Sequence, residues 1–181
     1  MLQKLLNRTK RAKGFTIIEV MIVLAIAGLI MVVVLIAVPQ LQRSQRNNAT
    51  TAVLDRTFTE LQNYATNNNG KYPATTGELD GFCTRYLEKT GAICANETGA
   101  TFINDPKTGT PMRLAYSSTT AAATGLPAAG VSRTITVYSL GTSGTTGFKC
   151  SGETVVAGNG ARQIAAVIPL EGGAFACRDN Q

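Results

Sequence analysis

No histidine occurs among the 181 residues. Its absence removes the Ser-His-Asp and Cys-His arrangements of nucleophilic catalysis, and with them a common metal ligand. Acids are sparse as well: 11 Asp and Glu stand against 17 Lys and Arg, and no cluster of carboxylates suggests acid–base work. The last 30 residues hold only Glu153, Glu171 and Asp179, a thin supply for a hard cation. The four cysteines, Cys83, Cys94, Cys150 and Cys177, include no CxxC pair, so a thiolate metal centre has no support. No catalytic residue, metal site or cofactor is expected, and a membrane-anchored enzyme is disfavoured.

The first 13 residues contain no acid, yet carry Lys4, Arg8, Lys10, Arg11 and Lys13. From Phe15 onward 12 basic residues face 11 acids, a balance of +1. A near-neutral body argues against a domain built for phosphate backbones. A DNA-binding face would need Arg133, Lys149, Arg162 and Arg178 to converge on one side, and scattered, solvated charges are the simpler account. Nucleic acid as a partner is left open but not indicated.

Between Phe15 and Val38 only Glu19 is ionisable. A helix of those 24 residues covers about 36 Å, enough for a hydrocarbon core of ~30 Å. The basic excess before the span places the N-terminus in the cytoplasm and everything after Val38 outside. A cleaved secretory signal has a shorter apolar region and a small-x-small site, and Ile36-Ala37-Val38-Pro39 is a poor one. A plain signal anchor fits the length but leaves Glu19 unexplained. Outside the cytoplasm an even number of cysteines favours disulfides. Four allow three connectivities; the local pairs Cys83–Cys94 and Cys150–Cys177 are preferred because each closes a loop within one region.

Beyond the span, Leu54, Phe58, Leu61 and Ala65 fall at i, i+4, i+7 and i+11, one stripe of an amphipathic helix. One long helix is expected from about Phe15 to Ala65, ended by Asn67-Asn68-Asn69-Gly70. Gly28 and Pro39 are its weak points, where the helix can bend or loosen. Strands are expected in residues 133–140, 161–170 and 173–178, with 112–117 a weaker fourth. Glu171-Gly172-Gly173 closes a hairpin, and residues 118–130 form an exposed small-residue loop. The fold class is α+β: a long N-terminal helix, apolar and transmembrane in its first half and amphipathic in its second, packed on a small disulfide-stapled antiparallel sheet. The organisation is a basic leader over 1–14, an apolar half over 15–38, an amphipathic half over 39–66 and an extracytoplasmic globular domain over 67–181.

Residues 13–24, Lys-Gly-Phe-Thr-Ile-Ile-Glu-Val-Met-Ile-Val-Leu, resemble the class III signal of type IV pilins and pseudopilins. That family pattern is a short basic leader ending in glycine, then phenylalanine, then a glutamate as fifth mature residue inside an apolar helix. Residues 67–75 are similar to the Asn-Gly-x-Tyr-Pro turn that follows the long helix in many of its members. Cys150 and Cys177 resemble the disulfide-bounded C-terminal loop of many pilins. The detailed resemblance covers about the first 75 residues.

The resemblance implies cleavage between Gly14 and Phe15 by prepilin peptidase, an aspartic peptidase acting at the cytoplasmic face, and N-methylation of Phe15. It implies the pilin fold and a homopolymer, with other pilins, built by an inner-membrane platform protein and a cytoplasmic ATPase. The subunit waits in membrane lipid as a single-pass protein, then joins an extracellular filament. Once the leader is gone, Phe15 carries a cationic amine. An ionised carboxylate in apolar surroundings is costly unless paired, so the Phe15 amine of a neighbouring subunit is the expected partner of Glu19. Such filaments serve adhesion, twitching motility or DNA uptake. The alternative within the family is a pseudopilin of a type II secretion system. Major pseudopilins typically use a calcium site rather than disulfides in the C-terminal loop, which favours the pilin. The triplets beginning at Asn48 and Asn96 match the glycosylation sequon, a pattern common by chance.

Overall fold

Helix α1 spans Ile17–Asn67 in the computed structural model, which describes residues 14–87, 104–109, 112–118, 133–139 and 147–181. Its length follows from the sequence: an apolar run without turn chemistry leads directly into the amphipathic stretch. The helix ends where the chain turns left-handed, with Asn69 and Gly70 at φ 57° and 75°. Glycine and asparagine take that conformation at least cost. Gly70 N–H then donates to the Ala65 carbonyl at 2.7 Å, satisfying one of the last carbonyls of the helix.

The chain divides into two units after Gln42. In the first unit every described side chain is exposed. The mean hydropathy of α1 reaches 3.3 over 18 residues, and among the described residues it is the one helix long and apolar enough to cross a membrane.

The second unit holds the rest of α1 and a second helix, α2 (Thr76–Tyr86). Six strands follow among the described residues: β1 (Arg113–Ser117), β2 (Thr134–Tyr138), β3 (Phe148–Ser151), β4 (Thr154–Ala157), β5 (Ala165–Pro169) and β6 (Phe175–Asp179). Four of them form the main sheet in the order β1-β2-β5-β6, while β3 and β4 make a separate hairpin. Antiparallel pairing joins β2 to β5 and β5 to β6. The edge strand β1 departs from the all-antiparallel expectation and runs parallel to β2. Residues 118–133 supply the length that a parallel crossover needs.

The α1 stripe sits where its spacing put it: Leu54, Phe58, Leu61 and Ala65 are all buried. Leu54, Phe58 and Leu61 meet Leu79 and Phe82 of α2 and one face of the sheet through Leu114, Ile135, Ala166 and Ile168. Alternate residues of β5, Ala165 and Val167, point the other way and pack with Tyr138 and Phe148. All five residues of β5 are therefore buried, and the central strand reads as a continuous apolar run because both its faces are covered. The result is three layers: helices, main sheet, hairpin.

Two elements escaped the sequence reading. Helix α2 begins with a capping box, in which Thr75 accepts the Glu78 N–H at 3.2 Å and Glu78 accepts the Ala74 N–H at 2.7 Å. The β3–β4 hairpin has strands of four residues each, too short for a clear period-two pattern.

Candidate functional site

Gly14, Phe15 and Thr16 precede the helix in extended, exposed chain, and α1 begins at Ile17. The expected cleavage junction between Gly14 and Phe15 therefore lies just outside regular structure, where a peptidase needs an unwound backbone. Phe15 is 87% exposed. The basic leader from Met1 to Lys13 lies outside the described residues.

Glu19 is not idle within its own chain. One of its carboxylate oxygens, Oε2, accepts the Thr16 N–H at 2.9 Å and the Thr16 hydroxyl at 2.8 Å. The Thr16 hydroxyl in turn accepts the Glu19 N–H at 3.3 Å. Thr16-Ile17-Ile18-Glu19 is thus a capping box that satisfies backbone donors at the first turn of α1. The sequence reading named Glu19 and passed over Thr16, although T-x-x-E before an apolar run is the signature of such a box. The other oxygen, Oε1, has no protein hydrogen bond among the described residues, which leaves it available to a second cation.

Gly28 and Pro39 both lie inside α1, which runs through them as one helix. No atom lies within 4 Å of the position a Cβ would take at Gly28.

A second polar constellation, absent from the sequence reading, gathers on Glu171 in the β5–β6 turn. Its carboxylate accepts Arg46 Nε at 2.8 Å and Arg46 Nη2 at 3.0 Å, a bidentate pair. Its backbone carbonyl accepts Arg43 Nε at 3.1 Å and Asn47 Nδ2 at 3.2 Å, and its N–H donates to Asn47 Oδ1 at 2.8 Å. Gly172 follows at φ 104°, and any side chain there would collide with the Arg43 guanidinium. Behind the pair, Arg133 is 1% exposed. It donates to the Thr50 hydroxyl at 2.7 Å and lies 3.2 Å from Asp105 and 3.9 Å from Glu171. The Arg46 hydrogen bond holds the Glu171 carboxyl below the usual carboxylate range despite its burial, and the same bond raises Arg46. Chemically this is a clasp that holds the hairpin turn on the helix. No single-sequence signal announces it, because its hydrogen-bonded partners are 83 to 128 residues apart.

Cys150 and Cys177 form a disulfide, with Cα atoms 5.9 Å apart, that ties β3 to β6. Cys83 is also disulfide-bonded and buried in α2, while Cys94 lies outside the described residues. The four basic residues suggested for a DNA-binding face do not converge: Arg133 is buried in the clasp and Arg178 is paired with Asp55. The triplet at Asn48 sits within α1 with its Thr50 buried against Arg133, a poor acceptor site; the one at Asn96 lies outside the described residues. Tyr72-Pro73 is a packed turn, with the Pro73 carbonyl accepting the Ser139 hydroxyl.

Comparison with known proteins bears on one of these regions. Residues 9–35 match the prokaryotic N-terminal methylation motif. Neither the curated proteins nor the solved structures compared with the chain include a match. The matched segment takes in the Gly14–Phe15 junction, the Thr16–Glu19 box and most of the apolar run, and it continues into an α+β domain stapled by a disulfide. Residues 9–35 therefore carry the prokaryotic N-terminal methylation motif, the class III signal peptide found in type IV pilins and pseudopilins.

Proposed function

We propose that the protein is a structural subunit of a type IV pilus. It is cut between Gly14 and Phe15 by prepilin peptidase, methylated on Phe15, and polymerised through the apolar half of α1. The observation that carries this reading is the methylation motif over residues 9–35 on a helix whose first, apolar half has its side chains exposed. A surface of that extent is stable only in lipid or against copies of itself. The polymerisation and peptidase processing follow from the motif in general; adhesion, twitching motility or DNA uptake is the filament role we assign. In the filament the Phe15 amine of one subunit pairs with Glu19 of the next. A slipped subunit would leave two charges unpaired in apolar surroundings, so the pair also sets axial register. Gly28 and Pro39 give α1 the places where it bends as the core forms.

Intact mass of protein recovered from cells tests the processing: residues 1–14 should be missing and Phe15 should carry one added methyl. An uncut N-terminus defeats the proposal. Glu19→Val should leave cleavage largely unchanged and abolish filaments in sheared surface material viewed by electron microscopy. Normal filaments from that variant would remove charge pairing from the mechanism.

The pseudopilin reading is kept open by the Asn69-Gly70-Lys71-Tyr72-Pro73 turn, which resembles one found in pilins and pseudopilins alike. The Cys150–Cys177 disulfide supports the pilin. Antibody labelling separates them: long labelled surface filaments identify a major pilin, sparse or tip labelling a minor one, and none a pseudopilin.

A further inference from the structure

The turn after α1, the start of α2, the end of β2 and the segment leading into β5 line an open cavity of about 420 Å³, walled by Gly70, Lys71, Tyr72, Glu78, Ser139 and Arg162 among others. That volume is in the range of small-ligand sites. Nothing in the assembly reading uses it.

Its construction joins three regions remote in sequence. The Arg162 guanidinium lies over Gly70, its Nη1 3.1 Å from where a Cβ would stand. Gly70 supplies the left-handed turn, and the guanidinium packs closely above it. Asn180 fixes the rest of the wall. Its side-chain nitrogen donates to the Arg162 carbonyl at 2.8 Å and to the Tyr72 hydroxyl at 3.3 Å, and its oxygen accepts the Ile164 N–H at 2.9 Å. The floor is held by Ser139, which is 1% exposed.

The charges in this wall are left over. Glu78, the only acid among the described lining residues, is engaged as the capping group of α2 through the Ala74 N–H at 2.7 Å. Lys71 and Arg162 have no carboxylate partner among the described residues. Two cations less one acid leave the wall at +1, matched to a monoanion rather than to a polyanionic backbone. A guanidinium and an ammonium together favour a carboxylate. The aromatic ring of Tyr72 and the amide and hydroxyl groups around it suit a pyranose ring, a puckered ring with a C–H-lined face and a polar rim of hydroxyls.

We propose that this cavity binds a carboxylate-bearing sugar residue of a glycan, its carboxylate between Lys71 and Arg162 and its ring against Tyr72. The site gives the globular unit a recognition activity of its own, separate from filament assembly.

Saturation-transfer NMR and calorimetry on the full chain in detergent micelles test it, with glucuronate as probe and glucose and acetate as the two controls. Glucuronate should bind about tenfold or more tightly than either control, since each lacks one half of the recognition. Arg162→Gln and Lys71→Gln should each weaken glucuronate by roughly tenfold, while Arg162→Lys should retain much of the affinity. Lys71 is exposed, so its substitution leaves the fold intact and reads the site alone. Equal binding of glucuronate and glucose, or unchanged affinity in both glutamine variants, overturns the proposal. The measurement needs neither cleavage nor filaments, so its outcome is independent of the assembly reading.

Discussion

Glu19 and Glu171 are both carboxylates set where hydrocarbon or burial would ordinarily exclude them, and each is accommodated by a different neighbour. Glu19 borrows the N–H and hydroxyl of Thr16 within its own first turn, and its other oxygen suits the amine that the proposed cleavage would create. Glu171 is paired inside the fold, with a side chain 10% exposed against Arg46 at 32%. Replacing Glu171 by Gln removes the charge and keeps the shape. Breaking such a pair strands Arg133 with Asp105 alone, at a cost of roughly 2–3 kcal/mol once the exposure of Arg46 is discounted. Thermal melts of wild type and Glu171→Gln at neutral pH should show that gap. Its pH dependence has a definite sign. The Glu171 pKa is lowered in the folded state, so its contribution is complete above the unfolded carboxylate value, about 4.5. It is lost as pH falls through the folded value below that. The gap between wild type and Glu171→Gln should therefore close in acid and stay constant from about pH 6 upward; a gap that widens in acid contradicts this account.

At the scale of elements, α1 does two jobs with two halves. The amphipathic half is held by its buried stripe, in which Leu54 and Leu61 are both fully buried. Leu61→Ala should destabilise the globular unit by about 2–5 kcal/mol through lost burial and the cavity left behind, read as a lowered midpoint in urea with an unchanged slope. This half was legible in the sequence because four apolar residues at helical spacing have one face to bury. Helix α2 was equally legible through its Thr75–Glu78 capping box and was missed because glycines at 77 and 81 lower helix propensity. The β3–β4 hairpin was not legible: its burial alternates weakly, with only Phe148 buried. The parallel course of β1 was hidden as well, since strand direction is set by the crossover and not by the strand's own residues.

For the molecule as a whole, covalent staples reinforce a chain with 18 glycines. The Cys150–Cys177 bridge spans 27 residues. By chain entropy, closing a loop of that size contributes about 3–4 kcal/mol. Cys150→Ser with Cys177→Ser should lower the melting temperature accordingly. The α1–α2–sheet core should persist, because it is built on the opposite face of the sheet from the disulfide. Near-ultraviolet circular dichroism with limited proteolysis would check this: cleavage should concentrate between residues 147 and 160, and complete unfolding would show that the bridge holds both layers. The clasp works at the same scale, since Arg43, Arg46, Asn47, Asp105, Arg133 and Glu171 bind four separated stretches into one body.

The sequence by itself determined the apolar run, the glycine before Phe15, the glutamate four residues later and the stripe on α1. These are local features, readable because a helix repeats every ~3.6 residues and a membrane has a fixed thickness. Only the tertiary structure decided that Arg133 is buried rather than offered to a partner, that Glu171 anchors a turn, and that Arg162 and Tyr72 share a wall with Asn180. Those outcomes depend on which distant residues meet when the sheet closes on the helices. Charge type and spacing along one chain do not encode such meetings; the packing of buried side chains does.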